Sequence, residues 1–339
     1  MSSSNIVVHR HTSSSRIALT IAVLLVVSIP TLPFWASSGQ IRLVIELSCL
    51  IAIAQMWNLL AGYGGMVSVG QQAFIGAGGY SLFALSAFAG LNPFWSVPLA
   101  MILPALLAAP SYLLLRKLDG PYFAIGTWVL AETFRLITGN LDIVNAGSGM
   151  TLRAMGQFTA HQREVGLTIL CALLLFVTVG GTFVMLRSRL GLALTAMRDD
   201  PISAASQGVD VGRMRFGIFI AAAMGTGLAG AIYYMAQLRI SPTSGFDPYW
   251  SSICIFIVMV GGIGRIEGPI IGALLYFFAT RLFGQYGASY MIVLGLLTLA
   301  MALFSPSGLW GLFARVRDWP WFPVGYKINY RQRDGGAVG

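Results

Sequence analysis

Few side chains in this sequence can do chemistry, and their spacing excludes most kinds of it. The histidines are His9, His11 and His161, and the cysteines are Cys49, Cys171 and Cys254. None stands at ligand or triad spacing, and the cysteines lie far apart inside apolar runs, so neither a metal knuckle nor a disulfide framework is indicated. A P-loop needs Gly-Lys-[Ser/Thr]. The only lysines are Lys117 and Lys327, which follow Arg116 and Tyr326, so the chain is not expected to be an ATPase. No set of His, Cys, Ser or paired carboxylates converges, and no catalytic residue, metal site or cofactor is expected on it. What remains is polar chemistry in apolar surroundings: Glu46, Glu132 and the pair Gln71-Gln72. Ionisable groups at membrane depth are functional suspects, and these two carboxylates are what an ion-coupled secondary transporter of small polar solutes would use. Each has a basic neighbour, Arg42 four residues before Glu46 and Arg135 one turn after Glu132, so mutual neutralisation is the competing reading.

The elements that hold these residues follow from composition. Of the 339 residues 56% are hydrophobic and only 10% charged, against roughly 25% charged in ordinary soluble domains. A soluble fold could not hide so much apolar side chain, and a run of about 20 apolar residues spans a bilayer as a helix. The expected fold class is all-α, a polytopic transmembrane helical bundle of about ten spans. The candidate spans are 17–36, 42–61, 67–90, 96–115, 121–139, 165–186, 215–236, 249–264, 268–283 and 288–304, the eighth and ninth being short enough to form a broken pair. The first run is too long for a signal-peptide core, and Pro30 and Pro33 occupy its cleavage region. The net charge of +9 is scattered through short connections and forms no stripe for nucleic acid. With both termini cytoplasmic, fifteen of the 21 Lys and Arg fall on inner segments, as the positive-inside rule requires. The chain then divides into a cytoplasmic tail 1–16, a membrane domain 17–304 with a long cytoplasmic loop 187–214, and a cytoplasmic tail 305–339. Five spans precede the 140–163 loop and five follow it, which fits inverted five-span repeats. The glycine-rich stretches 62–79 and 261–272 are their only trace, and helix packing explains these equally.

Three stretches stand out from generic hydrophobicity. Residues 62–80 hold seven glycines and the two glutamines. Irregular backbone at membrane depth is tolerated only inside protein or beside water, so the stretch is either a tight helix crossing or the lining of a path. Within the loop, Asp200 can cap a short helix, Pro201 suits its first position and Gly208 its left-handed stop. That helix is either a solvated connector or a docking lever for a cytosolic partner. Residues 261–273 read as a tight turn between two closely packed helices.

In order, these motifs are Gly62-Tyr63-x-Gly65-x-x-Ser68-x-Gly70-Gln71-x-Ala73-Phe74, then Tyr122-Phe123-Ala124-Ile125 with Glu132-x-x-Arg135, then Gly191…Ala196-Met197-Arg198-Asp199, then Gly261-Gly262-x-Gly264-x-x-x-Gly268-Pro269-x-x-Gly272-Ala273. The series resembles the branched-chain amino acid ABC importer permeases, the M-type inner-membrane subunit in particular, from about residue 42 to 304. The resemblance implies half of a translocation path for branched-chain or related amino acids, in the bacterial inner membrane. It implies as partners a second permease subunit in a heterodimer, two cytosolic ATPases that consume ATP with Mg, and a periplasmic solute-binding protein. On this reading Ser68, Gln71, Gln72, Phe74 and Glu132 are candidates for the path. Arg198, Asp199, Asp200, Pro201 and Gly208 are candidates for ATPase coupling.

Overall fold

The computed structural model describes residues 5–9, 13–305, 307–316, 322 and 327–331. It is a helical bundle, and each of the ten apolar segments is occupied by helix. The order is β1 (Asn5–His9), α1 (Ser13–Ser28), α2 (Ser38–Asn58), α3 (Gln71–Phe88), α4 (Pro93–Leu99), α5 (Ile102–Leu115) and α6 (Pro121–Asn140). Then come β2 (Met150–Thr151), α7 (Ala160–Leu175), α8 (Gly181–Arg187), α9 (Arg189–Asp199), α10 (Pro201–Ser206), α11 (Val211–Gln237), β3 (Arg239–Ile240) and α12 (Pro242–Gly245). The chain closes with α13 (Tyr249–Gly261), α14 (Glu267–Phe283), α15 (Ala288–Phe304), α16 (Gly308–Val316) and β4 (Lys327–Arg331). Five helical stretches among the described residues are long and apolar enough to cross a membrane: Ile17–Phe34, Ser38–Tyr63, Pro93–Leu115, Ala160–Arg187 and Val211–Gln237. Large apolar side chains cover the outside, Leu24, Leu114, Tyr122 and Phe304 among them, as lipid contact demands and water does not.

Several boundaries differ from the pattern reading, each for a local reason. Spans two and six begin earlier than 42 and 165 because capping boxes start them. Ser37 N donates to Gln40 Oε1 at 3.0 Å and Thr159 N to Gln162 Oε1 at 2.9 Å, with the reciprocal bonds present. Both spans also contain a wide turn, Leu59–Tyr63 and Phe176–Gly180. The third span begins at Gln71 rather than 67, and the fourth is broken between α4 and α5 where Pro98 and Pro104 crowd the chain. Helix α13 has 13 residues, about 20 Å, short of the roughly 30 Å hydrocarbon core.

Helix α11 lies at the centre, packed on α2, α3 and α5. A Cβ added at Gly78 of α3 would lie 2.0 Å from the Gly227 carbonyl oxygen of α11. Only glycine permits that backbone approach, so for Gly78 the packing reading is sufficient. With 27 residues, α11 is about 40 Å long and separates two ends of the bundle. One end carries α9, α10 and the turns after α2 and α13; the other carries the antiparallel pair β2–β3. Strands β1 and β4 also pair antiparallel, which places both terminal segments on one side. Part of the tails 1–16 and 305–339, with Arg10, Arg317 and Arg333, lies outside the described residues. The glycine-rich turns 62–65 and 261–264 meet at the same end. Their contact is a close backbone approach at Gly62 and Gly264, which helix packing explains without a repeat.

Candidate functional site

The segment between α2 and α3 is irregular, and its backbone groups are satisfied from three neighbouring helices. Trp57 Nε1 donates to the Ser68 carbonyl at 2.7 Å, and Val69 N donates to Thr127 Oγ1 of α6 at 3.0 Å. Gly70 N donates to Ser68 Oγ at 3.2 Å. At the head of α3, where helix amides lack partners, Gln71 N donates to Ser251 Oγ of α13 at 3.1 Å. The Ser251 hydroxyl in turn donates to Gln72 Oε1. Ser68, Gln71, Gln72 and Phe74 are thus brought together and buried, each 2% exposed or less. Their environments differ. The Gln72 amide is bonded, whereas neither polar atom of the Gln71 amide has a partner among the described residues. Phe74 packs edge-on against Phe219, ring centroids 5.6 Å apart.

Glu132 does not join this cluster. It sits about 7.5 Å further along α6 than Thr127, half-exposed, and accepts from Arg135 Nε through both carboxylate oxygens at 3.0 and 2.9 Å. Its exposed neighbours on α6 are apolar, among them Trp128, Val129 and Leu136. A charge pair held at mid-helix on such a face would be costly if that face met lipid. Glu46 is likewise paired, with Arg281 at 3.3 Å.

At the end bearing α9 and α10, Asp200 caps α10. Its Oδ1 accepts from Ile202 N at 2.9 Å and Ser203 N at 3.1 Å, and its Oδ2 from the Ser203 hydroxyl at 2.6 Å. The Ser203 hydroxyl, and after it the amides of Ser203 and Ile202, hold the Asp200 carboxyl below its ordinary pKa. Pro201 takes the first helical position. Val209 N donates to Ala204 O at 3.1 Å and Gly208 N to Ala205 O at 3.0 Å. These are the two bonds of a Schellman stop, with Gly208 at φ +88°. Arg198 pairs with Asp199 at 3.1 Å. Helix α9 is anchored by buried Leu194 and Met197, in a cluster with Leu60, Tyr63 and Leu186.

The end bearing α9 and α10 also holds a clasp between α2 and the turn after α13 that no local pattern predicts. Asn58 Oδ1 accepts from Gly264 N at 2.8 Å and its Nδ2 donates to the Arg265 carbonyl at 2.9 Å. A Cβ on Gly264 would lie 3.1 Å from Arg198 Nη1 and 3.2 Å from the Gly62 carbonyl oxygen. Arg198, the turn after α13 and the segment leading to Gln71 therefore touch at one place. The missed residues are Asn58, Thr127, Ser251 and Ile202. The first three are lone polar groups in apolar runs, which is a weak signal. Ile202 is 80% exposed on α10, and an apolar residue next to a proline in a polar loop was the available sign.

Comparison with known proteins covers most of this architecture. Residues 41–302 match the family described as branched-chain amino acid transport system, permease component. The chain is 28% identical to the high-affinity branched-chain amino acid transport system permease protein LivM of Salmonella typhimurium, over 86% of this chain and 74% of that protein. It is equally similar to LivM of Escherichia coli, at 28% over 82% and 71%. A probable LivH permease of Methanocaldococcus jannaschii is 23% identical over 74% and 82%. No solved structure matches.

Proposed function

The chain belongs to the branched-chain amino acid transport permease family, and from that premise we propose that it forms half of a translocation path in an ATP-driven importer. It is a multi-pass membrane transport subunit and not an enzyme. The other half is a second, different permease subunit, set against the α6 face where Glu132 and Arg135 need a neighbour other than lipid. Two cytosolic ATPases consume ATP with Mg²⁺, and a periplasmic solute-binding protein delivers a branched-chain or related amino acid. The chain makes ten crossings of the bacterial inner membrane with both termini cytoplasmic, which agrees with the pairing of β1 and β4. Ser68, Gln71, Gln72 and Phe74 stand at the path, and Arg198, Asp199, Asp200, Pro201 and Gly208 shape the coupling loop.

One observation carries this reading: the capped helix α10 presents Ile202 outward, while Arg198 one turn before it touches the turn clasped by Asn58. A push on α10 then reaches the head of α3 through packed backbone rather than through a loose loop. A secondary carrier is less well supported, because Glu46 and Glu132 are both tied to arginines. Co-purification tests the reading. Wild-type chain co-expressed with its ATPases should retain them through affinity purification, and Ile202→Asp should lose them while the permease still inserts. Full retention by Ile202→Asp would remove α10 from the contact.

A further inference from the structure

At the end of the bundle opposite α10, a cavity of about 510 Å³ opens between α2, α11, α13 and α14. That size is within the roughly 300–1,000 Å³ of small-molecule sites. Its lining combines both signs of charge with aromatic rings, unlike the apolar surface around it. Glu46 of α2 lies eight residues into its helix, so the cavity reaches about 12 Å into the bundle.

Three charged groups at the cavity differ in their commitments. Glu46 is shared with Arg281. Asp247 uses Oδ1 to accept from Tyr249 N at 2.9 Å, which fixes the carboxylate while its other oxygen has no partner among the described residues. Arg239 makes no ion pair or side-chain hydrogen bond among the described residues, and it is held by its backbone alone. Leu238 before it adopts φ +59°, a conformation a leucine rarely takes, and Leu152 N donates to the Leu238 carbonyl at 3.0 Å. Strain of this kind persists where surrounding structure imposes it, commonly at ligand sites. Here it turns the chain sharply out of α11 and delivers a free guanidinium to the cavity mouth. The apolar side of the cavity comes from Tyr233 and Trp250, which meet edge-to-face at 4.8 Å, with Leu50 and Ile253 beside them.

We infer that this cavity receives a free amino-acid zwitterion on its way into the bundle. The α-carboxylate sits on Arg239, the ammonium on the open oxygen of Asp247 with Glu46 behind it, and an aliphatic side chain lies against Tyr233 and Trp250. The inference rests on the amino-acid transport reading and adds a place and a recognition chemistry to it.

Titration of the assembled transporter in lipid nanodiscs, without binding protein, tests it. The probes are radiolabelled L-leucine, isopentylamine and 4-methylpentanoate, which carry both charges, the ammonium alone and the carboxylate alone. L-leucine should bind wild type, and each single-charge probe should bind at least about tenfold more weakly, as loss of one charge-assisted contact implies. Arg239→Gln and Asp247→Asn should each weaken L-leucine by a similar factor, with Arg239→Lys intermediate. Chromatography of each complex establishes that it is assembled. Unchanged leucine binding in both assembled variants, or equal binding of amine and zwitterion, overturns the inference. ATP-driven leucine uptake, measured with binding protein in the same wild-type preparation, separates the two readings. Uptake without any leucine titration removes the cavity site and leaves the transport reading standing. Titration with the expected variant pattern but no uptake keeps the site and removes the transport reading.

Discussion

Gln71 and Gln72 are adjacent and equally buried, yet replacing each by leucine should move stability in opposite directions. The Gln71 amide has neither of its polar atoms bonded within the described bundle, and burying such a group costs about 1–3 kcal/mol on protein mutational scales. Gln71→Leu removes that cost while keeping similar bulk, and its backbone bond to Ser251 is unaffected. A stabilisation of about 1–3 kcal/mol is expected. Gln72→Leu instead strips the acceptor from the Ser251 hydroxyl and leaves a buried donor unmet, for a loss of about 1–3 kcal/mol. The two variants should therefore differ by about 2–6 kcal/mol, the sum of those two ranges. Equilibrium unfolding of the purified permease in mixed micelles measures this. Both variants should also lower transport, and a stabilised but slower Gln71→Leu would show that the amide is kept for function. Should Gln71→Leu be destabilised as much as Gln72→Leu, the amide is satisfied within the fold and the reasoning fails. Normal transport by both would make the stretch packing and nothing more.

Gly208→Val should insert normally but uncouple ATP hydrolysis from loaded binding protein, because a left-handed backbone costs about 1–2 kcal/mol for ordinary residues and more for a β-branched one. No atom lies within 4 Å of a Cβ built there, so any defect is conformational and not a clash; wild-type coupling in Gly208→Val would reduce the loop to a connector. Asp200→Asn should retain coupling and Asp200→Ala lose it, since asparagine caps as well as aspartate and alanine does not. The depressed Asp200 pKa gives the sign of the pH effect: its contribution is fully present above the ordinary carboxylate value and lost as pH falls through the lower folded value, so coupling in wild type should show no Asp200 titration near neutrality. Asn58→Ala should cost about 2–6 kcal/mol by orphaning Gly264 N and the Arg265 carbonyl, at about 1–3 kcal/mol each, with faster amide exchange at Gly264 as the direct readout. Cysteines placed by Ser148→Cys and Ser203→Cys, in a chain lacking Cys49, Cys171 and Cys254, lie at opposite ends of α11; in spheroplasts an impermeant maleimide should reach only the first.

What the sequence disclosed is mostly what short-range physics decides. Asp200, Pro201 and Gly208 act within eight residues of one another, so α10 could be read from the chain and is present with its cap, first proline and left-handed stop. The capping boxes at Ser37 and Thr159 are equally local, but they lie outside the hydrophobic runs that mark the spans. The clasp from Asn58 to Gly264 spans 206 residues, and the bond from Ser251 to Gln72 spans 179; no spacing rule connects such positions. Gln71 and Gln72 look interchangeable in the sequence because their difference comes entirely from a serine on another helix. Likewise, the approach of Gly62 to Gly264 brings together glycine-rich stretches about 200 residues apart, which no local pattern discloses.

The source of energy for transport separates an ATP-driven importer from an ion-coupled carrier. The chain should be reconstituted with its second permease and ATPases in proteoliposomes, with loaded binding protein on the receptor side and ATP on the other. Uptake of labelled amino acid should then require ATP, stop with vanadate and ignore a proton uncoupler. Uptake that proceeds without ATP and collapses with the uncoupler would contradict the account and return Glu46 and Glu132 to the centre of an ion-coupled mechanism.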